Sequence, residues 1–216
     1  MPNIAYVNGK WSPLSLATVS VEDRGFQFGD GVYELIRTYH GTVFHLQAHI
    51  RRLYESLQQI QIPLAKTPAQ LGRIVQSGIE RSQYAETKIY IQVTRGVAPR
   101  LHSFPKGVLP TLVMTFRELD KIPPKTFQQG VAIISVNDLR WGRCNVKSLN
   151  LLPNLLAREH ALRSNAFEAI FVRDRFVWEG GGKQSFRGFW EKGCNAACGP
   201  LSAFGYYKGS GYCDRT

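Results

Sequence analysis

Alternation of apolar and polar residues predicts several strands in the first half of the chain. β-Branched and aromatic residues are enriched in these runs, as is typical of strands. A turn at Asn8-Gly9 divides the first of them. The predicted strands are residues 3–11, 31–39, 43–46, 88–94 and 112–116.

Two longer segments follow a helical period instead. Apolar residues recur at three- and four-residue spacing from Leu46 to Ile60, and Pro63 ends this pattern. Pro68 is suited to the first turn of a second helix. Its apolar face would comprise Leu71, Ile74, Val75 and Ile79.

A second domain is predicted beyond a polar segment that contains Pro123-Pro124. Residues 130–136 are typical of a strand, residues 151–162 of a helix, and residues 168–178 of a strand pair. We therefore expect a mixed α/β protein. Its predicted parts are an N-terminal α+β domain at 1–118, a linker at 119–127, the start of a mixed α/β domain at 128–180, and a tail at 181–216.

The tail differs in composition from the rest of the chain. Its 36 residues contain eight glycines, one leucine and neither valine nor isoleucine. Such a segment can bury little apolar surface against the entropy cost of ordering it. We expect it not to continue the second domain.

Charge and composition argue against several classes of protein, namely nucleic-acid-binding, membrane-spanning, secreted and disulfide-rich or metal-binding proteins. The net charge is +11, but the positive residues are dispersed, which favours a basic globular protein over a nucleic-acid-binding one. No apolar run reaches the length of a membrane span, and the start of the chain lacks a signal-peptide pattern, so we predict a cytoplasmic protein. The four cysteines predict neither a disulfide framework nor a metal site.

One short segment carries the most specific chemical signal. It runs Asn145-Val146-Lys147-Ser148-Leu149-Asn150, after a strand-like stretch and before a helix. Most lysines are only solvated charges, but a lysine held among small polar groups can act as a nucleophilic amine. The segment from Asp138 to Leu152 resembles the Schiff-base lysine motif of fold type IV pyridoxal-phosphate enzymes, and within them it is most similar to D-amino-acid transaminases.

Two further motifs extend this resemblance. Residues 22–34 are similar to the family's entry to the active site, where Tyr33 would lie beside the cofactor and bind the substrate carboxylate. Thr94-Arg95-Gly96 is followed by Arg100 and His102, and in the family such an Arg-x-His pair binds the substrate carboxylate. By residue chemistry alone, the three glycines of residues 22–34 predict a loop with close backbone approach, and a turn-rich connection with core aromatics is an equal alternative. The Arg-x-His pair alone is by default solvated charge.

The resemblance also implies cofactor-binding residues. Arg51 and Arg52 both fall off the apolar face of their helix, so periodicity cannot choose between them. The family pattern favours Arg52 as the phosphate-binding residue. Glu179, in Trp178-Glu179-Gly180, matches the carboxylate that faces the pyridine nitrogen.

The implied function is transamination between a D-amino acid, such as D-alanine, and a 2-oxo acid, with pyridoxal 5'-phosphate on Lys147. The family is usually dimeric, so a homodimer is implied, without nucleic acid or membrane partners. The alternatives are a branched-chain L-amino-acid aminotransferase, an aminodeoxychorismate lyase, and a non-enzymatic basic protein that binds nucleic acid.

The resemblance covers residues 3 to 180 and then stops. The family's small-residue run ending in Ser-Asn and its Gly-Ile-Thr-Arg motif are absent from the tail, and the chain is some 70 residues shorter than the pattern requires. Reading one nucleotide later from the glycine codons can restore both motifs, so we expect a frameshift. A chain changed in this way is expected to fold weakly or to aggregate and to bind little cofactor, so we expect low activity or none.

Overall fold

The computed structural model describes residues 3–120, 123, 126 and 130–181. The chain forms two compact units, Met1–Asp120 with Val146–Leu149, and Lys121–Asn145 with Asn150–Thr216. Sequence reasoning assigned residues 146–149 to the second domain, whereas their contacts belong to the first unit. Most of the predicted linker and all of the predicted tail except Gly181 lie outside the described residues.

The first unit is built on a six-stranded antiparallel sheet with the strand order β2-β1-β6-β5-β3-β4. Its long central strands pair without interruption, since β5 is aligned with β3 from Gly31 to Arg37 and with β6 along its whole length. The strands are β1 (Ile4–Val7), β2 (Lys10–Pro13), β3 (Gly31–Tyr39), β4 (Thr42–Val43), β5 (Thr87–Thr94) and β6 (Thr111–Glu118).

Two helices cover one face of this sheet. They are α2 (Leu46–Gln59) and α3 (Pro68–Ser82), and α3 begins with a capping box in which Thr67 and Gln70 exchange hydrogen bonds. Alternate strand residues and the apolar stripes of both helices form a single buried cluster. Its fully buried members include Ile36, Leu53, Leu71, Ile91, Met114 and Phe116.

A short helix, α1 (Arg24–Phe28), precedes β3. The sequence predicted a loop here, and that was wrong. Asp23 caps the helix by accepting a hydrogen bond from the Gly25 amide at 2.8 Å, and Gly29 ends it in the left-handed conformation. A helix of five residues is too short to produce a visible period.

The predicted strand at 43–46 was also too long. Strand β4 ends at Val43, and α2 already begins at Leu46. His45 between them has a φ of 47°, a left-handed conformation that ends the extended backbone.

The second unit contains a three-stranded sheet in the order β7-β8-β9 and one helix. Strands β7 (Ile133–Asn137) and β8 (Glu168–Arg173) are parallel and joined through α4 (Leu152–Arg163), while β9 (Phe176–Gly180) is antiparallel to β8. The described core is small and consists of Ala157, Ala161, Ala166, Ala169 and Phe171. Mixed α/β architecture is therefore confirmed. None of the described helices is long and apolar enough to cross a bilayer.

Candidate active site

The segment that contains Lys147 is fixed to the first unit through its backbone. Its peptide oxygen accepts a hydrogen bond from the Tyr33 amide at 3.0 Å, and its amide donates to Ser56 Oγ of α2 at 3.3 Å. Ser148 forms an antiparallel bridge with Val32, so this segment pairs with the start of β3. A peptide held at both ends gives the lysine a defined position.

Close approach of this segment requires Gly31. A Cβ atom there would lie 2.6 Å from the carbonyl oxygen of Val93 and 2.8 Å from Leu149 Cδ1. The Leu149 amide also donates to the Gly31 oxygen at 3.0 Å. Gly31 therefore permits a backbone contact that any larger residue would open.

Lys147 and Tyr33 are cross-strand neighbours on the sheet face opposite the helices. Lys147 Nζ lies 4.3 Å from the centroid of the Tyr33 ring. Tyr33 stacks on Tyr90 of β5 at 5.7 Å, and the Tyr90 hydroxyl donates to Gln92 Oε1 at 2.7 Å. The lysine amine thus lies beside the Tyr33 ring, which is itself supported by Tyr90 and Gln92.

Burial, with a smaller effect from the charge of Tyr33, raises the pKa of Tyr90 to about 12. Its hydroxyl is therefore a hydrogen-bond donor at neutral pH, as its contact with Gln92 requires.

Arg52 lies on the helix-facing side of β3, where it binds a buried carboxylate. Its Nε and Nη2 donate to Glu34 Oε1 and Oε2 at 2.5 and 2.7 Å, and His49 Nδ1 lies 2.9 Å from Oε2. Glu34 is fully buried. The expectation that both arginines fall off the buried face of α2 was right for Arg51, which is exposed, and wrong for Arg52, which is only 7% exposed.

Glu34 is a residue that sequence reasoning did not single out. Burial raises its pKa, but hydrogen bonds from Arg52 and His49 and the charges of Arg52 and Lys147 outweigh that effect, so the pKa lies below its ordinary value. A signal existed in the sequence, since Glu34 occupies an inward-facing position of β3 between Val32 and Ile36. A buried acid of this kind requires a cationic partner.

Glu179 lies on β9 of the second unit and is held by Arg140 through a short ion pair. Arg140 also binds Asp138 through Nε and Nη2, each at 2.9 Å, and Arg173 binds the same carboxylate at 2.9 Å. Burial raises the pKa of Asp138, but the Arg140 hydrogen bonds and the charges of both arginines hold it below its usual range. Arg140 therefore positions Glu179, and Asp138 in turn positions Arg140. The sequence analysis assigned no role to either residue.

Arg100 and His102 lie on the loop after β5, and both contact Phe28 of α1. The Arg100 guanidinium carbon is 4.7 Å from the centre of the Phe28 ring, and the His102 ring centre is 5.6 Å from it. Both polar side chains are exposed. Within the first unit, Arg100 and His102 therefore share a contact with the Phe28 ring. Tyr33 contacts Lys147.

The donor set fits pyridoxal phosphate in its chemistry. A primary amine can hold the aldehyde, a guanidinium can bind the phosphate, and a carboxylate can face the ring nitrogen. Among the residues described here, no group of three His, Cys, Asp or Glu is placed to hold a metal ion.

Comparison with known proteins gives consistent results. The family model for amino-transferase class IV matches residues 31–186. Over 173 residues, 44% are identical to a D-alanine aminotransferase of Bacillus licheniformis, and over 182 residues, 41% are identical to one of Staphylococcus aureus. These matches cover 80% and 84% of this chain but only 61% and 64% of the relatives, so the chain spans less than two thirds of their length.

Solved structures share the fold. A branched-chain amino acid aminotransferase of Escherichia coli superposes with a TM-score of 0.75 at 20% identity, covering 84% of this chain and 64% of that one. A hypothetical aminotransferase of Mycobacterium tuberculosis in its PLP-bound form superposes with a TM-score of 0.69 at 22% identity, covering 82% and 65%. At this level of identity the likeness shows the architecture, which is that of fold type IV.

Proposed function

The chain belongs to the class IV aminotransferase family, and on that basis we propose that it serves transamination between a D-amino acid and a 2-oxo acid with pyridoxal 5'-phosphate. The observation that carries this proposal is the placement of Lys147, whose peptide is held by Tyr33 and Ser56 and whose Nζ lies 4.3 Å from the Tyr33 ring. When bound, the cofactor supplies an electron-withdrawing ring that stabilises negative charge on the substrate carbon.

Lys147 is the proposed catalytic residue. Its amine would bind the cofactor aldehyde, and after release it would carry a proton to and from the substrate carbon as base and acid. The neighbouring ring of Tyr33 restricts where the amine can lie, since the two are 4.3 Å apart.

Arg52 and Glu179 are the further proposed cofactor-binding residues, chosen by the chemistry of a phosphate and of a pyridine nitrogen. The bidentate contact with Glu34 fixes the plane of the Arg52 guanidinium, which suits a phosphate with defined oxygen positions. Glu179 would hold a proton on the pyridine nitrogen, and the ion pair with Arg140 keeps its carboxylate oriented.

Tyr33, Arg100 and His102 are the proposed substrate-binding residues. A guanidinium offers a planar pair of donors to a carboxylate, and an imidazole adds one more. Among the described residues no carboxylate forms an ion pair with Arg100. Its charge is thus uncompensated by the described part of the chain.

A D-amino acid is the better supported substrate class. Relatives named D-alanine aminotransferase are 41–44% identical to this chain, whereas the branched-chain structures are only 20–22% identical. The branched-chain alternative therefore has weaker support, and the lyase alternative stays a prediction from the sequence. The nucleic-acid alternative, the cytoplasmic location and the low activity expected from the altered tail stay predictions from the sequence.

The test is covalent trapping of the cofactor by the full chain. Wild-type protein and Lys147→Ala are incubated with pyridoxal phosphate, reduced with borohydride and digested, and the modified peptide is located by mass spectrometry. We expect the added mass on Lys147 in the wild type and its loss in the variant. Attachment spread over surface lysines, equal in both proteins, would contradict the proposal. A panel of D- and L-amino acids with a 2-oxo acid then reports the substrate class.

We also propose that the chain forms a homodimer. Around α1 and the loop after β5, several large apolar side chains are exposed, and a second copy is the proposed cover. The most exposed are Phe26 at 76%, Leu101 at 62% and Leu109 at 82%. Sedimentation of the wild type as a dimer, and of Phe26→Ser with Leu109→Ser as a monomer, is the expected result. A wild-type monomer at high concentration would contradict it.

A further inference from the structure

The ring of Phe28 is shared by two arginines and a histidine. The guanidinium carbons of Arg24 and Arg100 each lie 4.7 Å from its centre, and the His102 ring is 5.6 Å away. Phe28 is thus the contact that Arg100 and His102 have in common.

Phe28 is contacted by Arg24 of its own helix, α1. Arg24, in the same helix, is 3% exposed, and its Nε donates to Asp30 Oδ2 at 2.9 Å. Its Nη1 donates to the carbonyl oxygen of Leu101 at 2.5 Å. Since Leu101 stands between Arg100 and His102, one buried arginine fixes both the ring and the backbone of the residues that contact it.

The start of the same loop is anchored to Asp30 as well. Arg95 is 6% exposed and donates to both oxygens of Asp30, at 2.7 and 3.0 Å. It also donates to the carbonyl oxygens of Ile60 and Gln61 at 2.7 and 2.9 Å. These hydrogen bonds fix the start of the loop at Arg95, and the hydrogen bond from Arg24 fixes it at Leu101.

Contact with a ring suits an arginine that must bind an anion. A guanidinium lying over an aromatic face keeps its full charge, and its N–H donors lie in its own plane, away from the ring. A carboxylate partner would instead neutralise the charge and occupy the donors. Phe28 can therefore orient Arg100 without competing with a substrate carboxylate.

We propose that Phe28 is a positioning residue for carboxylate binding, in which its ring orients Arg100 and His102 and Arg24 fixes that ring to the loop. The inference rests on the proposed function, because it assigns a carboxylate to Arg100 and His102. It extends that function to a residue that would act through Arg100 and His102.

The experiment follows the histidine rings of the full chain by NMR with isotopically labelled histidine. Five histidines are present, and His102→Gln identifies the signal of His102. Phe28→Leu removes the ring, and Phe28→Tyr retains it. The matched control is Phe44→Leu, since the Phe44 ring lies 4.3 Å from the ring of His45 elsewhere in the unit.

We expect Phe28→Leu to shift the His102 signal and to leave that of His45 unchanged, and Phe44→Leu to do the reverse. Titration with pyruvate as the probe should show affinity weakened roughly threefold to thirtyfold in Phe28→Leu, the range of one lost cation–π contact. Phe28→Tyr should bind pyruvate as the wild type does. Should Phe28→Leu not fold, Phe28→Met removes the ring at similar volume.

The outcomes separate this inference from the proposed function. If the wild type traps the cofactor on Lys147 and binds pyruvate, but Phe28→Leu binds it equally well, the role of Phe28 is overturned and the function stands. If the wild type neither traps cofactor nor binds pyruvate, both fall. With active protein, the inference requires a raised KM for the D-amino acid with a nearly unchanged kcat, restored by Phe28→Tyr.

Discussion

The two faces of the six-stranded sheet carry different side chains, although the same strands build both. On the face covered by α2 and α3, strand residues such as Val32, Ile91 and Phe116 are fully buried. On the other face, Tyr33, Tyr90 and Gln92 are half-buried and lie beside the segment of Lys147. Strand alternation thus places the apolar core on one face and the side chains that surround Lys147 on the other.

Tyr33 and Glu34 show this division most directly. They are consecutive in β3, yet Tyr33 contacts Lys147 while Glu34 binds Arg52 of α2. A change at Glu34 should therefore alter stability together with the orientation of Arg52, whereas a change at Tyr33 should alter the surroundings of Lys147 with little effect on stability.

The largest expected effect comes from Glu34→Ala. It removes the carboxylate that compensates the buried charge of Arg52, which should lower the free energy of unfolding by about 3–5 kcal/mol. Urea unfolding of the full chain, with hydrogen exchange of β5 peptides, measures this change. Leu35→Gln is the control on the opposite face, because Leu35 is 49% exposed and its replacement should stay within about 0.5 kcal/mol. Equal effects of the two variants would contradict the division of the faces.

Acid should weaken the same contact. Because the pKa of Glu34 is depressed in the folded chain, its contribution to stability is present above its unfolded value of about 4.3 and is lost as pH falls through the folded value. In Glu34→Gln this part of the pH dependence should disappear. An unchanged acid profile of unfolding would refute it.

A second comparison lies within α3. A Cβ atom at Gly78 would fall 2.0 Å from Phe116 Cζ, whereas one at Gly72 would meet nothing nearer than 3.9 Å. Gly78→Ala should therefore overpack the core and cost about 1–3 kcal/mol. Gly72→Ala should instead stabilise the helix by up to about 1 kcal/mol. Thermal and urea unfolding of Gly78→Ala and Gly72→Ala measure the two changes in stability. If both variants were stabilised, the face covered by α2 and α3 would be loosely packed.

The sequence predicted the main elements of this fold because their periods are long. Strands β3 and β5 and helices α2 and α3 each span eight or more residues, and their apolar positions follow one period throughout. Helix α1 has only five residues, so the caps at Asp23 and Gly29 were the available signals. The end of β4 depends on the conformation of His45, which no pattern of apolar residues reports.

Prediction of the site was limited by contacts between distant elements. Periodicity treated Arg51 and Arg52 alike, because the partner that buries Arg52 is Glu34, on a strand 18 residues earlier. The common contact of Arg100 and His102 with Phe28 likewise joins residues more than 70 positions apart. A local sequence pattern therefore identifies candidate residues. Which side chains they contact depends on the tertiary structure.

The smallest change in stability at neutral pH is expected on the uncovered face, at Tyr90. Its phenol should ionise with a pKa of about 12, which the difference in phenolate absorbance between wild type and Tyr90→Phe would measure. Because the folded pKa is raised, the contribution of Tyr90 to stability is complete below the unfolded value of about 10 and is lost as pH rises from there towards 12. Tyr33→Phe should lower the midpoint only in part, since burial is the larger cause of the shift and the charge of Tyr33 the smaller. A titration midpoint of the Tyr90 phenol near 10 in the wild type would mean that this face is as open to solvent as an unfolded chain. The rings of Tyr33 and Tyr90 near Lys147 would then not exclude water.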